Sequence, residues 1–145
     1  MHDIPSDRAA LLGLLARAPA PRLAALLPDL PAHDTLRPPE TGTVMVRGRQ
    51  GATGAPFNLG EITVTRASVR VGEAVGHAWV QGRDRDHARR AAVLDALMQT
   101  PRAAVLGREV IAPLRAEEEA RRAETAARAA ATKVEFFTLV RGEAE

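Results

Sequence analysis

Three features of the chain predict an α+β fold: leucines at helical spacing near the amino terminus, two alternating runs joined by Gly72-Glu73, and an alanine-rich, charged stretch from about Leu114 onward. The predicted architecture is an amino-terminal helical hairpin, a small antiparallel β-meander, a packing helix and a long carboxy-terminal helix. At 145 residues there is room for one domain. Within it, residues 1–31 form the hairpin, 41–100 the meander plus helix, and 113–142 the long helix.

Ser6 or Asp7 suits the cap of a first helix running to about Ala18, where "APAPR" breaks it. A second helix, "PRLAALLPDL", has Pro21 near its first turn and stops before Pro31. Leu11, Leu14 and Leu15 are expected to face Leu23, Leu26 and Leu27. "RPPETG" reads as a proline-rich connector, "TVMVRGR" as a strand, "GRQGATGAPFNLG" as a glycine-rich loop and "EITVTRASVRV" as a second strand. Gly72-Glu73 is a two-residue loop with glycine first, the signature of a type II′ hairpin. That turn fixes a register: Val71 opposite Ala74, Val69 opposite Gly76, Ala67 opposite Ala78 and Thr65 opposite Val80 on a smooth apolar face. The other face pairs Arg70 with Val75, Ser68 with His77, Arg66 with Trp79, and Val64 with Gln81. Arg66 over Trp79 is a cross-strand cation–π pair.

Asp84 is the expected cap of the next helix, and Asp86 sits in its first turn, where the helix dipole favours an acid. Arg90, Val93, Leu94, Leu97 and Met98 follow at helical spacing until Pro101. "AAVLGREVIAPL" reads as a connector with a short apolar turn. From Leu114 to Arg141 the chain favours helix, with Glu117–Arg121, Glu118–Arg122 and Glu124–Arg128 as i,i+4 pairs. Ala116, Ala120, Ala123, Ala127, Ala130, Val134 and Phe137 trace a heptad seam. Such a helix spans roughly 40 Å, about the width of the whole domain, so it is expected to overhang or dock on another chain. The three glutamates 117–119 read as a solvated helix start.

Composition narrows the chemistry. Aromatic residues are 3% of the chain, Phe57, Trp79, Phe136 and Phe137, so alanine, leucine and valine must fill the core. The pI of 10.3 accompanies a formal charge of only +2, because nearly all the bases are arginine. Bulk attraction to nucleic acid is therefore discounted. The absence of cysteine removes disulfides, thiolate metal sites, iron–sulfur ligation and thiol nucleophiles. No signal peptide or membrane span is expected, and the chain reads as soluble and cytoplasmic.

His87, beside Arg83, Arg85, Arg89 and Arg90, is the best acid–base candidate, although no nucleophile or partner base stands at diagnostic spacing. The loop "GRQGATG" with Arg47 and Arg49 could cradle a phosphate through its amides, but it lacks the Walker lysine. No metal-ligand spacing is present, and no catalytic or metal residue is assigned. Candidate anion-binding or interface residues are Arg47, Arg49, Arg66, Trp79, Arg83 and His87. Candidate interface residues on the long helix and its end are Ala120, Ala123, Ala127, Val134, Phe136 and Phe137. Two other classes are an arginine-rich nucleic-acid module using Arg66, Arg70 and the 83–90 arginines, and a free-standing phosphate-ester enzyme using His87.

The blocks "TGTVMVRGRQGATGAPFNLGEITVTRASVRV", "GHAWVQGRDRDHARRAAVLDALMQ", "VIAPL" and "KVEFFTLVRG" resemble the PhnG family of phosphonate metabolism over roughly residues 41–142. In that family the chain is the smallest subunit of the carbon–phosphorus lyase core complex. The resemblance implies assembly with H, I and J subunits, two copies of each, and action with an accessory L protein. That system displaces adenine from MgATP, its co-substrate, by an alkylphosphonate, giving ribose 1-methylphosphonate 5-triphosphate. It is a transferase-type complex in phosphonate catabolism. No cofactor and no catalytic position is carried onto this chain, and neither membrane nor nucleic acid is an expected partner.

Overall fold

The computed structural model describes residues 4–133, with side-chain surroundings from Arg8 onward. The order is α1 (Ile4–Arg17), α2 (Ala20–Leu26), β1 (Asp34–Arg49), a short 3-10 turn (Gln50–Ala52), β2 (Pro56–Val71), β3 (Ala74–Gln81), α3 (Arg85–Leu97), α4 (Ala103–Leu106), a π-turn (Gly107–Ile111) and α5 (Ala112–Ala131). The three strands form one antiparallel sheet in the order β1-β2-β3. The fold class is α+β, as the hydrophobic periods predict.

The β2–β3 register is the one the Gly72-Glu73 turn dictates, from Val71 opposite Ala74 to Val64 opposite Gln81. Gly72 lies at φ 59°, the left-handed position that a type II′ turn reserves for glycine. The face carrying Thr65, Ala67, Val69, Ala78 and Val80 is buried under α3, whose Ala88, Ala91, Ala92, Val93, Leu94, Ala96 and Leu97 are buried in turn. Gly76 sets the closeness of that contact: a Cβ there would lie 1.9 Å from the Ala92 carbonyl oxygen and 2.6 Å from the Ala96 nitrogen. Small residues on both sides let sheet and helix approach, and this offsets the scarcity of aromatic core residues.

The same core takes Leu14, Leu15, Leu23 and Leu27 from the amino-terminal helices, and Leu106, Val110, Ile111 and Leu114 from the later ones. The axes of α1 and α2 differ by 113°, so they form a corner on α3 rather than a hairpin in which leucines simply face one another. Helix α1 begins at Ile4, which places Ser6 and Asp7 within its first turn rather than at the cap. Helix α2 ends at Leu26, two residues before Pro28.

Three further expectations need correction. "RPPETG" is part of β1, not a connector. Edge strands tolerate proline because one side of the backbone has no ladder partner, and register shifts between Thr35 and Glu40 absorb the irregularity. The glycine-rich loop is mostly strand: β2 starts at Pro56, and only about six residues turn between the strands. The segment 103–114 is helical throughout. Its π-turn lies just ahead of Pro113, in the first turn of α5, where a residue without an N–H is tolerated.

Candidate functional site

Period-2 alternation sends Arg66 and Trp79 to the sheet face opposite α3, directly across from one another. The Arg66 guanidinium carbon lies 5.4 Å from the centre of the indole ring, a cation–π contact. Glu40 faces Arg66 from β1 and accepts from Arg66 Nε at 2.6 Å and from Arg37 Nη1 at 2.8 Å. These two guanidinium groups, Arg37 first, hold the Glu40 carboxyl below the ordinary carboxylate range. A cleft of about 280 Å³ runs between β1 and Trp79, lined by residues 40–44, Val64, Arg66 and Trp79. On the far side of the indole, Leu12, Gly13 and Ala16 of α1 bound a second cleft of about 240 Å³. Trp79 itself is 53% exposed, so the ring is a ridge between two hollows.

The free edge of β3 is closed by Asp95, a residue the sequence reading missed. Asp95 is fully buried. It accepts from Arg8 Nε at 3.1 Å, Arg8 Nη2 at 2.8 Å and the His77 backbone N–H at 2.9 Å. Arg8 also donates to the Val75 carbonyl at 3.2 Å. The Asp95 hydrogen bond raises the Arg8 pKa above its ordinary value. The signal was present: Asp95 is the one charged residue within the apolar run "AAVLDALM", and a buried acid needs a partner.

His87 is engaged through both its backbone and its ring. Asp84 caps α3 by accepting from the His87 N–H at 2.9 Å, as predicted. The ring, however, is buried, and its Nε2 donates to the Leu15 carbonyl at 2.8 Å, near the carboxy-terminal end of α1. There an imidazole N–H satisfies a carbonyl that lacks an intrahelical partner. Arg90 serves α2 likewise, donating to the carbonyls of Leu27 and Pro28 while pairing with Asp86. Arg83 is exposed on the loop after β3.

The candidate anion-binding residues do not converge. Arg47 and Arg49 lie at the far end of the β1–β2 ribbon, where Arg49 Nη1 donates to the Gly54 carbonyl at 3.3 Å. Gly82 bonds to Thr63, seven residues along β2 from Pro56, the partner of Arg49. At about 3.3 Å per residue, Arg83 and Arg49 are separated by roughly 20 Å along the strand. Arg66 and Trp79 alone are paired. Among the described residues no cluster of three or more His, Asp or Glu side chains could hold a metal ion.

Helix α5 leaves the core after a firm start. Leu114 is buried, Glu118 takes Arg17 Nε at 2.5 Å and Glu117 takes Arg22 Nε at 2.8 Å. Glu117 and Glu118 are therefore docking groups for the first two helices, while Glu119 is exposed as a solvated helix start. Arg17 also holds the Glu118 carboxyl below its ordinary range. Glu118–Arg122 and Glu124–Arg128 form as predicted, whereas Glu117 binds Arg22. From Glu119 to Ala131 every side chain is exposed, including Ala120, Ala123 and Ala127. Val134, Phe136 and Phe137 lie outside the described residues.

Among the described residues, fold and site together define an α+β protein that presents an open sheet face, an exposed ribbon end and an exposed outer α5. The family follows from comparison. The chain belongs to the family described as phosphonate metabolism protein PhnG, whose model matches residues 6–142. A relative from Rhizobium meliloti (strain 1021), named alpha-D-ribose 1-methylphosphonate 5-triphosphate synthase subunit PhnG, is 49% identical over 138 residues, covering 90% of this chain and 86% of the relative. The match extends the resemblance read from residues 41–142 across the amino-terminal helices as well.

Proposed function

We propose that the chain is a non-autonomous subunit of the carbon–phosphorus lyase core complex, assembled with H, I and J subunits in two copies each. With the accessory L protein, it supports displacement of adenine from MgATP by an alkylphosphonate to give ribose 1-methylphosphonate 5-triphosphate. The observation that carries this reading is α5: among the described residues, every side chain from Glu119 to Ala131 is exposed. The exposed stretch, about 13 residues, is of a length that is marginal as an isolated helix in water, and an alanine seam allows a second backbone to approach closely. The role is structural and positional, since His87 is committed to Leu15 and the arginines are dispersed. The direct test is adenine release from MgATP and methylphosphonate by H, I, J and L with and without this chain. The expected result is turnover only with it present, and none by this chain alone. Full turnover in its absence would contradict the proposal.

A further inference from the structure

The cleft beside Trp79 already holds an anionic group, and that group belongs to the chain itself. Glu40 Oε1 lies within 2.8 Å of Arg37 Nη1, 2.6 Å of Arg66 Nε and 2.5 Å of Arg66 Nη2. Among the described residues, two guanidinium groups and one carboxylate leave one positive charge unmatched. The guanidinium plane of Arg66 is kept in place by the indole below it, so the fork exists before any ligand arrives. Such preorganisation lowers the ordering cost of binding a planar or tetrahedral oxyanion. Glu40 is itself accessible, its side chain 46% exposed, and an exposed ion pair is held weakly enough to exchange. The hollow beside it has about 280 Å³, room for a small oxyanion and its first carbon or phosphorus substituents. Val44 and Val64 supply an apolar wall.

We infer that the cleft lined by Arg66 and Trp79, with Arg37 reaching the same Glu40 oxygen, is an oxyanion-binding site that Glu40 occupies as an intramolecular placeholder. The ligand class is a carboxylate or phosphoryl group, which can come from the acidic side chain of a partner polypeptide or from a free phosphorylated small molecule. The inference does not rest on the assembly proposed above, because the three residues and the cleft belong to one chain.

Trp79 is the chain's only tryptophan, so its fluorescence reports this site alone. The experiment titrates the full chain with sodium phosphate and, separately, sodium acetate, at constant ionic strength set by chloride. It is done for the parent and for Glu40→Gln, Arg66→Ala and Arg37→Ala, with far-ultraviolet circular dichroism confirming that each is folded. The expected result is a saturable change that is about tenfold tighter in Glu40→Gln, where the competing charge-assisted hydrogen bonds are removed, and absent in Arg66→Ala. Arg37→Ala should weaken binding without abolishing it. Preference for phosphate identifies a phosphoryl ligand, and equal or better response to acetate identifies a carboxylate side chain. No saturable change with either anion in Glu40→Gln, equal affinity in Glu40→Gln and the parent, or an undiminished change in Arg66→Ala would overturn the inference.

Discussion

The two ends of β2 obey different rules. From Thr63 to Val71 only Arg70 is exposed; Val64, Thr65, Ala67 and Val69 are buried, with Ala67 and Val69 almost fully covered by α3. From Pro56 to Ile62 every residue is exposed, among them Phe57 at 43% and Leu59 at 62%. Helix α5 repeats the contrast, with Leu114 at 1% and every side chain beyond Glu118 exposed. One half of the chain is thus specified by internal packing, while the ribbon end and the outer α5 carry apolar or small residues that packing among the described residues does not use. A side chain in the first region should be read by its effect on stability, and one in the second by its effect on association.

The contrast is broken most severely at Gly76. Replacing Gly76 with valine drives side-chain atoms into the α3 backbone, and about 3 kcal/mol or more of stability should be lost, seen as a collapse of the urea midpoint. Asp95→Ala should follow, at about 2 kcal/mol, because it strands Arg8 and the buried N–H of His77 together. Arg8 can turn to solvent, which keeps the loss below that of a fully enclosed pair. His87→Ala removes a single bond to Leu15 and should cost about 1 kcal/mol. Adenine release by an intact assembly should remain, whereas its abolition would restore His87 as a catalytic candidate.

The pH dependence is smaller and has a definite sign. The folded-state pKa values of Glu118 and Glu40 are lowered by their arginine partners. Their stabilisation is therefore complete above the ordinary carboxylate pKa and is lost as pH falls through the lowered values. Denaturant midpoints for the parent and Glu118→Gln should differ at pH 7 and converge in acid. A difference that grows on acidification would contradict the assignment.

Much of the packed half was legible because local rules and tertiary packing agree there. A two-residue turn fixed eight cross-strand pairs, and Asp84 marked a helix start that His87 completes. The arms were harder to read. Pro38 and Pro39 argue against a strand unless the strand is known to lie at an edge, and edge position is a property of the whole sheet. Asp95 looks like an ordinary helix acid until Arg8, 87 residues away, is brought beside it. The candidate site was half legible: strand register revealed Arg66 over Trp79, but Glu40 sat in a stretch read as a connector. His87 stood out by residue type alone, and nothing in its neighbourhood shows that the end of α1 will meet it.

The central claim is that the outer α5 serves association and not folding. Ala123→Asp with Ala127→Asp places two charges on the exposed seam of α5. Its urea-unfolding free energy should fall below the parent's by no more than about 1 kcal/mol, the helix-propensity cost of two aspartates. The deciding measurement is size exclusion with light scattering on the parent and this double variant, each co-expressed with the H, I and J subunits. The account predicts that the parent co-elutes in one large assembly and that the folded variant does not. A variant that assembles as the parent does, or a parent that remains apart from those subunits, would contradict it.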